Sequence, residues 1–282
     1  MPAVAKNNRQ VGQALYHLVF PTTAGRAAEI ELSARVREAP TYSMSGTAQT
    51  GQSEPTGGDT ESERPADQSG SGPPDSQSKE LFQDQDRRFE FCGHVLKITQ
   101  QLSKFAIPAI VWQSGIVLCR YFGEERITFI GQKVIELGSG TGIVGILAIL
   151  LGGEVTLTDK PEVLGQIEHN VARNVSPSMI PRPKVAALSW GEDEDQFPRD
   201  YDIILGSDIV YRPRSFLLLL KTLKHLSDRR TVIYLSSAMS EKMGAVEFHA
   251  TLLPELFHCE LVYQAPNLEV NIYRVTRKSS TY

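Results

Sequence analysis

The chain has 282 residues, 41% of them hydrophobic, with 29 Lys+Arg against 33 Asp+Glu; the net charge of −4 divides as −3 over residues 1–88 and −1 over the rest. That length can bury one sizeable core, and the lack of a Lys/Arg excess excludes a basic nucleic-acid platform, which needs concentrated positive charge to hold phosphates. Three cysteines, Cys92, Cys119 and Cys259, lie 27 and 140 positions apart. This fits neither a zinc site nor a small disulfide framework, so no metal is expected and a reducing, cytoplasmic compartment is.

Residues 11–20 form a semi-apolar stretch broken by Gln13 and His17, without the basic flank and cleavage site of a signal peptide; Glu29, Glu31 and Glu38 do not suit a mitochondrial leader. Residues 27–37 have one possible helical pattern. From 45 to 80 there is no Val, Ile, Leu, Phe, Tyr or Trp. Such a segment cannot bury enough apolar surface to offset its chain entropy, and it is expected to be disordered. The expected organisation is therefore an N-terminal extension over 1–87, a folded domain over 88–277 and a short tail over 278–282. No membrane span is expected, because the longest apolar run, 143–151, stops after nine residues at Gly152-Gly153-Glu154.

Within the folded part, 88–91 and 95–98 alternate like strands about Cys92-Gly93-His94, a β-hairpin. A helix is expected over 109–122 after Pro108. Strand patterns follow at 133–137, 154–158, 184–188, 201–205 and 231–235, and helical ones at 143–151, 161–173, 213–226 and 241–252. Strands at 257–263 and 268–275 close the chain, too near one another for a crossover helix. The alternation predicts an α/β, doubly wound, mostly parallel sheet ending in an antiparallel hairpin.

The strongest local signal is Val134-Ile135-Glu136-Leu137-Gly138-Ser139-Gly140-Thr141-Gly142. Glycines after the first core strand let backbone approach a nucleotide-like ligand. The dinucleotide pattern G-x-G-x-x-G fails from Gly138, where Ile143 takes its last place, and succeeds from Gly140 through Gly142 to Gly145, so spacing alone leaves the cofactor open. Asp159, at the end of the next strand pattern, can accept from ribose hydroxyls of NAD or of any adenosine ligand. Glu136 has two readings: a carboxylate facing a ligand's cation, or one satisfied by nearby backbone amides. Acidic residues around the loop suit S-adenosylmethionine, a sulfonium without phosphate, better than NAD.

The segment from about 88 to 277 resembles the seven-strand methyltransferases of family 16, the lysine methyltransferase-like group. The resemblance is carried by Phe91-Cys92-Gly93-His94-Val95-Leu96, Ile98-Thr99-Gln100, the 134–142 loop, Gly206-Ser207-Asp208-Ile209-Val210-Tyr211 and Val270-Asn271-Ile272-Tyr273-Arg274. It implies a Rossmann-like fold of seven strands, an S-adenosylmethionine-dependent protein-lysine N-methyltransferase activity, and translation elongation factor 1-alpha as the protein substrate. Chaperones are further partners in related enzymes, and a monomer is expected. It also implies that Trp112 and Trp190 flank the donor, which joins them to Glu136, Gly138, Gly140, Gly142, Asp159 and Ser207 as the expected cofactor side, and that Asp208 and Tyr211, an Asp-x-x-Tyr motif, line the acceptor pocket. The chain departs from the family pattern at Gln113 and Ser207, where relatives commonly carry Asp and Ala.

Taken without the resemblance, Trp112 and Trp190 are equally core tryptophans. Asp208 lies five residues before Pro213, far for a helix cap. The six histidines are scattered and form no catalytic or metal set. Open alternatives are another acceptor on the same fold, an NAD-linked oxidoreductase, and a non-catalytic binding module.

Overall fold

The computed structural model describes residues 83–105, 107–265 and 267–278. The expected 27–37 helix, the 45–80 low-complexity stretch and nearly all of the expected C-terminal tail lie outside them.

The described chain begins with an antiparallel hairpin, β1 (Gln85–Phe91) and β2 (His94–Gln100). Its turn is two residues, Cys92 and Gly93, with φ of 52° and 77°. Positive φ at both central positions is the turn geometry that matches strand twist. The strand starts at Gln85, three residues ahead of the sequence expectation. The hairpin stands apart from the main sheet as a two-stranded sheet of its own.

The seven-stranded sheet has the order β5-β4-β3-β6-β7-β9-β8. Its strands are β3 (Lys133–Leu137), β4 (Glu154–Asp159), β5 (Lys184–Ala187), β6 (Ile203–Ser207), β7 (Val232–Ala238), β8 (Phe257–Ala265) and β9 (Val270–Arg277). The first five pair in parallel; β9 runs antiparallel against β7, and β8 closes the edge. The doubly wound sheet and its terminal hairpin agree with the periodicity. That β9 inserts between β7 and β8 is a tertiary choice that no local pattern records.

Helices cover both faces. On one face lie α1 (Gln113–Glu124), α2 (Ile143–Leu150) and α3 (Leu164–Asn174), packed with the hairpin. On the other lie α4 (Phe216–Leu226) and a helical run from Ala245 to Leu256. Val134 faces the first layer while Ile135 and Leu137 face the second, so β3 is apolar on both sides. Helix α2, IVGILAIL, is apolar all round because β4 lies beneath it and β2 and α1 cover it. Burying each large side chain here, Phe122 or Leu147 for example, contributes about 1.5–3 kcal/mol.

Four helices start later than expected: those expected from 161 and 213 open with the 3₁₀ turns Pro161–Val163 and Pro213–Ser215, and the other two differ more. The one expected over 109–122 starts at Gln113; Ile107–Ala109 is a separate 3₁₀ turn, and Val111 is held off the helix by its N–H donating to the Gln100 side chain at 2.8 Å. The one expected over 241–252 starts at Ala245 and widens into a π-helix over Phe248–Leu252. Pro254 lacks the N–H that a regular turn would offer Ala250, and it sits in the first turn of the regular helix that resumes over Leu253–Leu256. Among the described residues no helix is long and apolar enough to cross a membrane.

Candidate active site

The register brings the strand ends together. Leu137 pairs with Thr158 on one side and Gly206 on the other, so Gly138, Asp159 and Ser207 leave the sheet at one level. This is the carboxyl edge of the parallel strands, where open α/β sheets hold ligands.

The glycine loop joins β3 to α2 with φ of 63° at Gly138, 54° at Gly140 and 80° at Gly142. At Gly138 a Cβ would lie 2.8 Å from Ile209 and 3.3 Å from the Trp190 ring, so both the conformation and the space demand glycine. The loop is pinned to β4: Ser139 N–H donates to Thr158 O at 2.9 Å, and Thr158 N–H returns a bond to Ser139 Oγ at 3.1 Å. The Asp159 carboxylate accepts from Gly140 N–H and from Lys160 N–H, each at 2.8 Å. Burial raises its pKa and those two amides pull it back. Two bonds leave lone pairs on the carboxylate for further donors.

Glu136 is only 2% exposed. Its Oε2 accepts from Gly145 N–H at 3.1 Å, in the first turns of α2. A Cβ at Gly145 would sit 2.5 Å from that oxygen, so the glycine is what lets helix and carboxylate meet. Burial pushes the Glu136 pKa up to about 8, against hydrogen bonds from Ser139 and Gly145, with Asp159 adding to the rise. The Gly145 bond is the kind of partner that the second of its sequence readings expects, a strand carboxylate bonded to a backbone amide.

Asp208 follows β6 with φ of 52°, a left-handed conformation that aspartate tolerates better than most residues. Its carboxylate accepts from the Ser114 hydroxyl at 2.6 Å, from Ser114 N–H at 3.1 Å and from Ala238 N–H at 3.2 Å. Trp112, the N-cap of α1, provides no side-chain cap, so Asp208 caps that helix from 94 residues away. The helix it caps is α1, not the one after Pro213. Burial raises its pKa and those three donors lower it.

Ser207 Oγ lies 3.4 Å from the Cβ position of Gly115, turned toward α1. Tyr211 is partly buried, with the Arg212 guanidinium 5.3 Å from its ring centroid. Burial raises its hydroxyl pKa, Arg212 opposes the rise and the charge of Asp159 adds to it, which places Tyr211 within electrostatic reach of the β4 end. Trp112 is partly buried, packs on the small cluster of Leu102, Ala109 and Ile110, and donates its indole N–H to Ile107 O at 3.0 Å. Trp190 is partly buried over the loop.

Sequence reasoning missed Ser114 and Ala238, which hold Asp208, since nothing local marks either. It also missed His249 on the π-helix, 3% exposed and stacked on Tyr273 at 4.2 Å. Its Nε2 pairs with Ser237 Oγ at 2.9 Å, and burial lowers its pKa to about 3.

Comparison with known proteins agrees with this geometry. The family model described as lysine methyltransferase matches residues 90–251. EEF1A lysine methyltransferase 3 of Xenopus tropicalis is 49% identical over 201 residues, which is 70% of this chain and 89% of the relative. Its counterpart in Mus musculus is 50% identical over 192 residues, covering 68% and 82%. Among solved structures, the T. thermophilus 16S rRNA N2 G1207 methyltransferase, in complex with AdoMet and guanosine, covers 69% of this chain and 51% of its own at 15% identity and TM-score 0.52, a likeness of fold.

Proposed function

The chain belongs to the lysine methyltransferase family, and from that premise we propose that it methylates a lysine of translation elongation factor 1-alpha, with S-adenosylmethionine as donor. The observation that carries this reading is the shared level of Gly138, Asp159 and Ser207 at the carboxyl edge, with Asp208 one residue further on. The substrate rests on the relatives named for EEF1A, which match this chain over most of their own length.

The residues fit the donor. The bend at Gly138 beneath Trp190 offers bare backbone, Asp159 retains acceptor capacity for ribose hydroxyls, and Trp112 and Trp190 are the aromatic flanks. When bound, the donor supplies an electrophilic methyl group on a sulfonium. The chain's task is then to align a lysine amine with it and keep that amine's electron pair free. A lysine with an ordinary pKa is neutral only about one part in a few thousand at pH 7, a cost of roughly 4–5 kcal/mol. Desolvation in a channel lowers that cost. Asp208 orients the incoming ammonium, its own position fixed by Ser114 and Ala238. Since Arg212 already lies over the Tyr211 ring, the Tyr211 hydroxyl is the group left to meet the amine.

Glu136 serves this site from behind, bracing α2 through Gly145. The thiols of Cys92, Cys119 and Cys259 are free, which supports a reducing compartment, the cytoplasm. In this reading the catalytic domain starts with β1, and the residues ahead of it are an appended extension. The test is labelled methyl transfer to purified elongation factor 1-alpha with site mapping by mass spectrometry. Label on lysine is expected; label confined to another residue type overturns the acceptor assignment, and no label on this substrate overturns the target.

A further inference from the structure

Helix α3 carries three amides at one-turn spacing, Gln166, Asn170 and Asn174, and each engages alternate residues running along β2 and just beyond it. Asn174 accepts from Lys97 N–H at 2.7 Å and donates to Lys97 O at 2.9 Å. Asn170 accepts from Thr99 N–H at 2.8 Å and donates to Thr99 O at 3.0 Å. Gln166 accepts from Gln101 N–H at 3.1 Å. β2 pairs with β1 on its other edge, so these side chains stand where a third strand would, satisfying backbone groups that burial would otherwise leave unpaired.

Two of the three amides do more. Asn170 Nδ2 also donates to Thr141 O at 2.9 Å, and Gln166 Nε2 donates both to Gly140 O at 3.0 Å and to Pro108 O at 2.8 Å. Both residues are 0% exposed. They tie three backbone segments together: the hairpin, the stretch leading through Pro108 to Trp112, and the glycine loop. Asn174 bonds the hairpin at Lys97 and its own helix through Asn170 O.

We propose that Gln166 and Asn170 are positioning residues for donor binding, holding the glycine loop in its binding conformation and making the hairpin part of the donor site. The inference rests on the methyltransferase reading. Being neutral, these amides fix the loop without adding a charge beside a cationic ligand, and each works through several bonds whose net worth is modest singly.

The test is calorimetry of S-adenosylhomocysteine binding to the full-length chain, paired with steady-state kinetics. Asn170→Ala and Gln166→Met, the second close in volume, are each expected to weaken binding by about 10-fold or more and to raise KM for the donor, with kcat within about threefold. Asn174→Ala, which loses its bonds to Lys97 of the hairpin and to Asn170 O within α3, is expected to keep wild-type affinity. Equal affinity in all the variants, or an equal loss in Asn174→Ala, overturns the proposal. Hydrogen exchange on the wild type covers any variant that fails to fold: ligand is expected to raise protection at Thr99 and Gln101 together with the loop amides, and protection confined to the loop overturns it. A wild-type chain that does not bind the ligand removes the methyltransferase reading itself, and the inference with it.

Discussion

Two neighbouring parallel strands, β3 and β6, bring a carboxylate to the same edge, Glu136 buried within its strand and Asp208 partly exposed just beyond its own, and the two are held differently. Glu136 is sealed beneath α2 with one backbone donor in contact, and its pKa rises to about 8. Asp208 lies one residue past its strand, with two backbone amides and a hydroxyl bonded to it at the start of α1. Burial raises both pKa values, against two hydrogen bonds at Glu136 and three at Asp208. The difference teaches that carboxylates brought by neighbouring strands to one edge can be held to different ends, one sealed against a helix and one capping a helix at the partly exposed edge. Glu136 is a brace that holds its proton near neutrality, and in the proposed function Asp208 is the charge offered to the substrate.

The largest effect expected from breaking this comparison is at Asp208. Asp208→Asn keeps a residue that tolerates φ of 52° while removing the charge, and kcat is expected to fall about 1,000-fold with the fold intact by circular dichroism. A variant within tenfold of wild type would show that the charge is dispensable.

Next in size is the pH dependence of stability from Glu136. Its folded pKa lies above its ordinary 4.5, so between about pH 4.5 and 8 the folded chain keeps a proton that the unfolded chain has released. Stability therefore falls as pH rises through that window, by up to about 4 kcal/mol from this group. Glu136→Gln removes the term and is expected to gain on wild type steadily from pH 5 to 8 in urea unfolding. Parallel curves for the two proteins would place the Glu136 pKa at its ordinary value.

His249, near the acceptor end, has the opposite sign. Its folded pKa of about 3 lies below 6.5, so its contribution to stability is complete above pH 6.5 and is lost as pH falls toward 3, by about 3 kcal/mol at pH 4. His249→Asn is expected to flatten the acid limb of the unfolding curve; an unchanged limb would contradict a neutral buried imidazole. Between pH 4.5 and 6.5 the two slopes oppose each other, and the double variant separates them.

The smallest effect is expected at Tyr211. Tyr211→Phe keeps the ring under Arg212 and loses the hydroxyl, and kcat is expected to drop about 3- to 10-fold, the worth of one neutral hydrogen bond. Loss on the scale of Asp208→Asn would make the hydroxyl an equal partner in the chemistry.

Much of the glycine loop and its setting was legible in the chain because its parts are local. Glycines at 138, 140 and 142 follow an apolar strand directly, and Asp159 closes the next one. The supports of Asp208 were not, since Ser114 and Ala238 are 94 and 30 residues from the carboxylate they hold. The amide row of α3 falls between: its one-turn spacing is visible in the sequence, but its partners on β2 and the loop are not.

The order of apolar runs and glycine turns by itself determined the alternating α/β layers and the position of the ligand loop, because helical and strand periods and positive φ are properties of short segments. Only the tertiary structure decided that β9 lies inside β8, that Glu136 looks inward while Asp208 caps a distant helix, and that a histidine rests neutral beneath the sheet edge. Each of those outcomes depends on which groups burial brings within a few ångströms of one another, and that proximity is set by chain packing across tens of residues.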